Sequence, residues 1–270
     1  MKKEKIIETI FNKEALQFEY IETGLTNDNY IVTLQDRKVV LRIPRIENKG
    51  LFDYALEAKV LETVNPLNLE PNLIYYNKNT GIKCSEYVDN AETFNVKYIK
   101  RAAKLIQTLH HAAFESGVNF DIKKRFHQFK ERITDPLFDT TFAHHFIDDL
   151  VIENPILCHN DIVEGNLLFT DDKDYLIDYE YAADNDPFFD IMSFITENDI
   201  VDPNLRNVFY EAYFGRYPSQ KELDKLYHFE IVHHVLWCEW AMMMYNLHHQ
   251  EIYKDIASLK FQRLNECIKK

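Results

Sequence analysis

Several features that mark other protein classes are missing from this chain of 270 residues. Its four cysteines are widely spaced and include no CxxC pair, so we expect reduced thiols in a cytoplasmic setting. The N-terminal segment MKKEKIIETIF interleaves Lys and Glu and has no long apolar core. We therefore expect neither a signal peptide nor a membrane span. Internal repeats, low-complexity tracts and long flexible linkers are missing as well.

An excess of basic charge is also missing, because the formal net charge is -13. Such a charge argues against a nucleic-acid groove and against an anionic membrane surface as partners. It is compatible with a cationic substrate. What the chain does contain is 46% hydrophobic and 14% aromatic residues, which indicates a folded globular enzyme rather than a disordered chain.

The order of sequence patterns predicts an α+β fold with two lobes. β-Branched and aromatic runs separated by turn signals predict strands over 18–22, 29–34, 38–43, 73–76 and 81–85. Helical periodicity predicts helices over 51–64, 96–113, 188–197, 205–214 and 220–246. We expect a nucleotide-binding lobe of small antiparallel sheet over 1–88, and a larger, mainly helical lobe with the catalytic and acceptor residues over 89–270.

The most informative segment is CHNDIVEGNLLFTDDKDYLIDYEY, which begins at Cys158. Kinases use an Asp to accept the proton of the attacking hydroxyl, an Asn to hold metal, and a second Asp to bridge Mg²⁺ to the phosphates. Asp161, Asn166 and Asp178 have the order and spacing for these three roles. A polar loop beside two ordinary strands is the alternative, but the three residues together favour phosphoryl transfer.

Residues on the nucleotide side fall in the predicted sheet. The turn from Thr23 to Asn29 offers backbone N–H groups and short polar side chains to phosphate, although its single glycine also suits a plain hairpin. Its candidate nucleotide-binding residues are Gly24, Thr26, Asn27 and Asn29. Arg42, on the third strand, is a forked donor for phosphates. Glu57 would hold Arg42, or would be a solvated glutamate on a helix face. Glu86 and Val88 fall where a hinge would bind the adenine of ATP.

Residues on the acceptor side are mainly aromatic. Trp237 and Trp240 are three positions apart and share one face of a helix, so they form either a core stripe or a cage for an alkylated ammonium ion. Glu197 would supply the counter-charge, and Tyr179 and Tyr181 would complete the aromatic wall.

Histidines occur in pairs at 110–111, 144–145, 233–234 and 248–249. Adjacent helical residues point about 100° apart, so such pairs rarely chelate one metal. We interpret them as surface or helix-end residues. His159 is expected to shape the catalytic loop through hydrogen bonds, and Asp190 to brace the backbone of that loop.

These motifs resemble the choline and ethanolamine kinases, within the aminoglycoside-phosphotransferase and protein-kinase-like superfamily. The similarity runs from TGLTNDNY to WCEW and is strongest to bacterial choline kinases. It implies a bilobal kinase-like fold, the roles already given to the residues of CHNDIVEGNLLF and LIDYEYAADNDPFFDI, and contacts of Glu197, Trp237 and Trp240 with an ammonium group. Glu180 is a further candidate metal ligand. The sequence departs from the common pattern of the family at two places. The nucleotide loop has Thr-Gly in place of the commoner Gly-Gly, and Tyr179 replaces a frequent Trp or Phe.

The resulting hypothesis is ATP- and Mg²⁺-dependent phosphorylation of the choline hydroxyl to phosphocholine. The same chemistry on ethanolamine, thiamine or an aminoglycoside is the nearest alternative, and a non-catalytic kinase-like binding module is the alternative from another class. Two tryptophans and one glutamate favour choline, because a trimethylammonium group prefers aromatic faces whereas a primary ammonium needs hydrogen-bond acceptors.

Overall fold

The computed structural model of the chain describes residues 2–22, 26–48 and 50–269. Its backbone divides into two compact units. The first unit consists of Met1–Leu109 with Glu164–Ala182, and the second of His110–Val163 with Ala183–Lys270. This grouping does not test the lobes expected over 1–88 and 89–270, which stay a prediction.

The N-terminal part of the chain alternates strands with short helices, as its sequence patterns predict. In chain order its elements are α1 (Lys3–Phe11), β1 (Gln17–Ile21), β2 (Asn27–Thr33), β3 (Lys38–Pro44), α2 (Tyr54–Val64), β4 (Leu73–Tyr76), β5 (Lys83–Glu86), β6 (Glu92–Thr93) and α3 (Ile99–His111). The five predicted strands and the two predicted helices are confirmed, with bounds shifted by up to three residues at most ends.

Five of these strands form one antiparallel sheet in the order β1-β2-β3-β5-β4. Val39 and Leu41, two positions apart on β3, share one face of the sheet and are fully buried. That face packs against α1 through Ile6 and Ile7, which meet Val32, Val39 and Leu41 in one core. The sheet is therefore a rigid base for the polar side chains that project from it.

The middle of the chain contains short elements, and the C-terminal part is helical. In chain order they are α4 (Ile122–Lys130), α5 (His145–Asp148), β7 (Ile156–Cys158), β8 (Leu167–Phe169), β9 (Asp174–Leu176), β10 (Ala183–Asn185), α6 (Pro187–Glu197), α7 (Pro203–Phe214), α8 (Gln220–His248) and α9 (Glu251–Ile268). The predicted helices over 188–197, 205–214 and 220–246 are confirmed. Helix α9 was not among the predicted elements.

Three antiparallel strand pairs lie within or next to the informative segment. Strands β8 and β9 pair within the first unit, with Leu167 opposite Leu176, and β6 pairs with β8. Strand β7 pairs with β10 in the second unit, with Cys158 opposite Ala183. Asn166 and Asp178 thus come just before and just after one hairpin.

Helix α8 is the central element of the second unit. Its first turn is closed by a capping box, in which Ser219 and Glu222 each bond the backbone of the other. It packs against α9, where Cys238, Ala241 and Ala257 allow close approach. Among the described residues, no helix is both long and apolar enough to cross a membrane.

Candidate active site

Six residues of the first unit form what we call the phosphate-side cluster: Thr26, Asn27, Arg42, Glu57, Asp178 and Glu180. Arg42 is its centre, on a strand between two others. Its Nη2 donates to Glu57 Oε2 at 2.7 Å and its Nη1 to Asp178 Oδ1 at 2.5 Å. The guanidinium is buried, and the carboxylates raise its pKa further above its usual range, against the effect of burial. Arg42, the predicted phosphate contact, is therefore bonded directly to Asp178, a predicted metal ligand.

Glu57 faces the interior rather than solvent. The Asp53 side chain accepts from the N–H groups of Ala55 and Leu56 and so starts α2, which places Glu57 in its first turn. Glu57 is 1% exposed, and it also accepts a hydrogen bond of 2.8 Å from the Tyr76 hydroxyl. The alternative of a solvated helix-face glutamate is therefore wrong.

Glu180 binds the start of β2 within the same cluster. Its two carboxylate oxygens accept from Thr26 Oγ1 at 2.7 Å and from Asn27 Nδ2 at 2.8 Å. Burial, and next the nearby charge of Asp178, raise the pKa of Glu180 to about 8, although Arg42 opposes this shift. Three carboxyl groups thus surround the single cation Arg42, and Glu180 takes up a proton more readily than an exposed glutamate does.

The backbone at Asp178 adopts a left-handed conformation, with φ of 70°. This region is uncommon for a residue other than glycine, and its cost is borne where surrounding contacts fix it. The Asp178 N–H donates to Glu70 Oε1 at 3.2 Å, and Lys83 Nζ donates to the same oxygen at 2.5 Å. Arg42 holds the side chain from the other end. Asp178 is therefore clamped in one orientation.

A cavity of about 550 Å³ opens in the first unit beside the predicted hinge residues Glu86 and Val88. Aromatic side chains line other parts of it, including those of Tyr98, Phe169 and Tyr175. The Glu86 N–H donates to Asn72 O at 3.0 Å. Among the described residues, none accepts a hydrogen bond from the Val88 N–H, so this group is available to a ligand.

The other predicted nucleotide and metal residues, Gly24, Asn29 and Asn166, are not part of the phosphate-side cluster. Gly24 lies outside the described residues. Asn29 pairs with Arg42 across β2 and β3. Asn166 is buried at the end of a short 3₁₀ turn, and its carbonyl accepts from the Ile177 N–H at 2.9 Å.

In the second unit, Asp190 bonds the backbone of the predicted catalytic loop. Its Oδ2 accepts from the His159 N–H at 2.7 Å and its Oδ1 from the Asn160 N–H at 2.6 Å. Asp190 is fully buried near the start of α6. These are the contacts that the predicted bracing role requires.

Asn160, the residue before Asp161, is fixed by hydrogen bonds of its own side chain. Asn160 has φ of 65°, and its side chain donates to Ala183 O at 3.2 Å and accepts from Asn185 Nδ2 at 2.8 Å. The Asp161 N–H donates to His159 Nδ1 at 3.3 Å, which is a loop contact of the predicted kind. Asp161 itself is half-buried.

His110 is a buried part of this brace in the last turn of α3. Of the two interpretations given to the paired histidines, the helix-end one therefore holds for His110 and the surface one is wrong. Its Nε2 lies 3.0 Å from Asp190 Oδ2, and its Nδ1 lies 2.7 Å from the Tyr213 hydroxyl. His110, Asp190 and Cys158 form the group of potential metal ligands among the described residues. All are buried, and Asp190 is already hydrogen-bonded, so the group is better described as structural support.

A second set, the acceptor-side cluster, consists of Thr196, Glu197, His233, Trp237 and Lys260. Lys260 is 3% exposed, and its Nζ donates to Glu197 Oε1 at 2.7 Å and to Thr196 O at 3.3 Å. His233 is fully buried, and its Nδ1 lies 3.4 Å from Glu197 Oε1. His233 and its buried neighbour His234 therefore also contradict the surface interpretation.

The two tryptophans pack edge to face, with ring centroids 5.8 Å apart. Trp237 is 7% exposed, and Trp240 packs against Tyr253 with a centroid distance of 5.7 Å. Trp240 also packs against the buried cluster of Cys238, Ala241, Met242 and Ala257. The pair thus has the partners of a core stripe, and its predicted contact with an ammonium group stays a prediction.

Tyr179 and Tyr181 lie in a 3₁₀ turn of the first unit. Tyr179 is fully buried, so its ring presents no surface to a ligand. Tyr181 is half-buried and packs edge to face on Phe52 with centroids 5.0 Å apart. Their predicted place in the aromatic wall stays a prediction, and the burial of Tyr179 does not favour it.

Sequence reasoning missed four residues that orient the predicted ones: Glu70, His110, His233 and Lys260. His110 follows buried Ile106 by four positions on α3, so the helical stripe contained a signal that it points inward. Glu70 lies in a loop whose pattern gives no such signal. Lys260 and His233 have partners on other helices, which spacing within one helix does not reveal.

A family model described as the phosphotransferase enzyme family matches residues 90–226, just over half of the chain. Protein LicA from Haemophilus influenzae is 29% identical over an alignment of 193 residues, which covers 64% of this chain and 56% of that protein. A probable ethanolamine kinase from Nematostella vectensis is 31% identical over 136 residues, covering 41% of this chain and 38% of the relative. The chain thus spans little more than half of the length of the first relative.

The structure is also similar to that of the choline kinase LicA from Streptococcus pneumoniae, with a TM-score of 0.82 at 22% identity. The alignment covers 98% of each chain. This likeness confirms the predicted fold class, an α+β fold of the protein-kinase-like type.

Proposed function

Because the chain belongs to the phosphotransferase enzyme family, we propose that it is an ATP-dependent kinase that phosphorylates the hydroxyl of choline, giving phosphocholine and ADP. The observation that carries this proposal is the phosphate-side cluster. Arg42 bonds Glu57, which is the pair of strand cation and helix glutamate that protein kinases need and a plain structural hairpin does not. Arg42 also bonds Asp178, the proposed metal ligand.

The donor set of the first unit suits Mg²⁺. Asn166, Asp178 and Glu180 offer amide and carboxylate oxygens, the ligands that this hard cation prefers. The raised pKa of Glu180, caused by burial and then by Asp178, indicates a place where a further positive charge is favourable. When bound, the ion offsets negative charge on the transferring phosphates. Arg42 would bind the phosphates directly through its planar fork.

The adenine of ATP is assigned to the cavity beside the hinge. Its volume of about 550 Å³ lies within the range of small-molecule and cofactor sites. Val88 lines this cavity, so its N–H would donate to the ring, and Tyr98, Phe169 and Tyr175 would offer apolar surface to it.

Asp161 is assigned as the residue that accepts the proton of the choline hydroxyl. Asn166 is five positions further along, so the chain itself keeps the two roles close. The Asp190 carboxylate fixes the loop backbone on the preceding residues, which limits the conformations available to Asp161. Such positioning accounts for much of the acceleration in phosphoryl transfer.

The acceptor-side cluster supports choline over ethanolamine. Glu197 Oε1 already accepts from Lys260, so less hydrogen-bonding capacity remains for a primary ammonium group. A trimethylammonium group donates no hydrogen bond and is attracted to aromatic faces such as those of Trp237 and Trp240. Ethanolamine remains the second candidate, because a probable ethanolamine kinase is among the relatives.

The cytoplasm is the proposed location. The four cysteines are buried thiols, which suits a reducing compartment. ATP is the phosphoryl donor in that compartment. Thiamine and aminoglycosides remain alternative acceptors, and a non-catalytic binding module would have no need of Asp161, Asn166 and Asp178 together.

An assay of ADP release tests the proposal with choline, ethanolamine, thiamine and an aminoglycoside as acceptors. We expect choline to accelerate ADP release most, and Asp161→Ala to lower that rate about 10²–10⁴-fold. ATP binding and thermal stability of this variant should match those of the control Asp149→Ala, whose side chain is exposed. No acceleration by any acceptor would favour the binding module, and a fully active Asp161→Ala variant would remove the role given to Asp161.

A further inference from the structure

His233 connects two helices that carry predicted acceptor residues. It lies on α8, and its Nε2 is 3.1 Å from the Trp237 Nε1, one turn along the same helix. Its Nδ1 is 2.8 Å from Thr196 Oγ1, at the end of α6. One buried ring thus touches both the indole and the segment that ends in Glu197.

These contacts determine which nitrogen carries the proton. An indole N–H only donates, so His233 Nε2 must accept and must be unprotonated. The proton of a neutral imidazole is then on Nδ1, where it is directed at Thr196 Oγ1 and lies near Glu197 Oε1. Burial lowers the pKa of His233 well below its usual range, and the charges of Lys260 and His234 act in the same direction. The ring is therefore neutral and has one fixed tautomer.

Lys260 completes the arrangement from α9. Its ammonium group bonds Glu197 Oε1 and Thr196 O, so the end of α6 is held by α8 on one side and by α9 on the other. The carboxylate and the ammonium balance each other, which leaves a neutral imidazole as the link to Trp237. The orientation of the indole relative to the Glu197 carboxylate depends on this link.

We propose that His233 is a positioning residue for the acceptor site, which in its Nδ1–H tautomer holds the Trp237 indole against the carboxylate-bearing end of α6 and so sets the geometry that an alkylated ammonium group meets. This inference rests on the proposed function, which assigns Glu197 and Trp237 to the acceptor. His233 does not touch the reacting atoms. It acts through Trp237 and Thr196.

The test compares His233→Leu, which removes both hydrogen bonds, with His233→Gln, whose amide oxygen accepts and whose amide nitrogen donates. His234→Leu is the matched control, because His234 is buried next to His233 on the same helix. In the described part of the chain its ion-pair partner is Glu230, rather than Trp237 or Glu197. Thr196→Val removes the partner of Nδ1 from the side of α6. It provides a second route to the same link if His233→Leu does not fold.

We expect His233→Leu to raise the KM for choline about tenfold, with the KM for ATP changed less than about twofold. His233→Gln should return the choline KM to within about threefold of the wild type. Thr196→Val should raise the choline KM by less than His233→Leu does. In ¹⁵N spectra, the Trp237 indole signal, assigned with Trp237→Phe, should shift in His233→Leu and stay in place in His234→Leu.

Equal changes in the choline and ATP KM, no rescue by Gln, or an unmoved indole signal would overturn the positioning role while the wild-type enzyme still used choline. Failure of the proposed function is seen separately, as a wild-type protein that phosphorylates none of the acceptors. The indole signal needs no turnover, so it reports on the His233–Trp237 bond in either case.

Discussion

The phosphate-side cluster and the acceptor-side cluster both bury a cation, but they surround it differently. Arg42 lies near three carboxylates, those of Glu57, Asp178 and Glu180. Lys260 bonds one carboxylate, that of Glu197, beside a neutral imidazole. The first cluster therefore retains negative charge, and the second is balanced.

This difference suits the two ligands that we propose. Excess carboxylate is favourable where a divalent ion and phosphates bind together, because the ion then completes the neutralisation. A balanced cluster beside aromatic rings suits a cation that is recognised by its apolar surface. Buried charges are costly unless paired, so each cluster is expected to be sensitive to the removal of its cation.

The largest expected effect comes from removing those cations. Arg42→Ala would leave three carboxylates facing each other and should lower the free energy of unfolding by about 3–5 kcal/mol. Lys260→Ala leaves a single unpaired carboxylate, so we expect a smaller loss. Chemical denaturation measures both, with Lys97→Ala, at an exposed pair with Glu92, as the control. Equal losses in the two buried variants would contradict the difference in charge between the clusters.

The next effect separates the clusters by activity. Asp178→Asn removes a carboxylate from the proposed metal site and should lower kcat about 10²–10³-fold with every acceptor. Glu197→Gln should act mainly on the KM for choline and leave the KM for ATP nearly unchanged. Steady-state kinetics with both substrates varied checks this separation. A Glu197→Gln variant that lost ATP and choline affinity equally would show that the acceptor-side cluster is structural.

Mg²⁺ should stabilise the protein without nucleotide, because the phosphate-side cluster has uncompensated carboxylates. At a concentration of about ten times its Kd, the ion adds about 1.4 kcal/mol to the free energy of unfolding. Thermal unfolding with MgCl₂, with chelator, and with NaCl of equal ionic strength measures this gain. The gain should be absent in Asp178→Asn and present in Lys260→Ala. The opposite pattern would show that the metal binds at the acceptor-side cluster, and the proposed metal site would then be wrong.

The smallest effect is a loss of stability in weak acid from His233 and His234. Burial lowers the pKa of both, so the folded state keeps them neutral while the unfolded chain takes up protons below its pKa of about 6.5. The free energy of unfolding therefore keeps the full contribution of these neutral histidines above that pH. It should fall by about 1 kcal/mol per histidine between pH 6.5 and 5.5. Chemical denaturation at these two pH values measures the loss. His234→Gln should reduce it, and His111→Gln, at an exposed position, serves as the control.

The predictability of the site differed between its parts. Asp161, Asn166 and Asp178 could be selected because their roles depend on a spacing along one short segment. The strand that carries Arg42 and the helix that carries Glu57 followed from local patterns, since apolar periodicity follows from local backbone geometry. The contact between those two side chains was a hypothesis from sequence, and the structure supplied its distance.

Other features could not be read from local patterns. The histidine pairs have the same spacing in each case, yet His110, His233 and His234 are buried whereas His111 is exposed. Burial of a polar side chain depends on whether a partner from a distant segment satisfies it, and such partners are not coded by adjacent residues.

The sequence by itself determined the fold class, the order of the main strands and helices, and the types of side chain available for phosphoryl transfer. Only the tertiary structure decided how charges are paired: Arg42 with Asp178, Glu180 with Asn27, and Lys260 with Glu197. The physical reason is range. Periodicity and turn chemistry act over a few residues, whereas the pairing of a buried charge is settled by the residues that packing brings next to it.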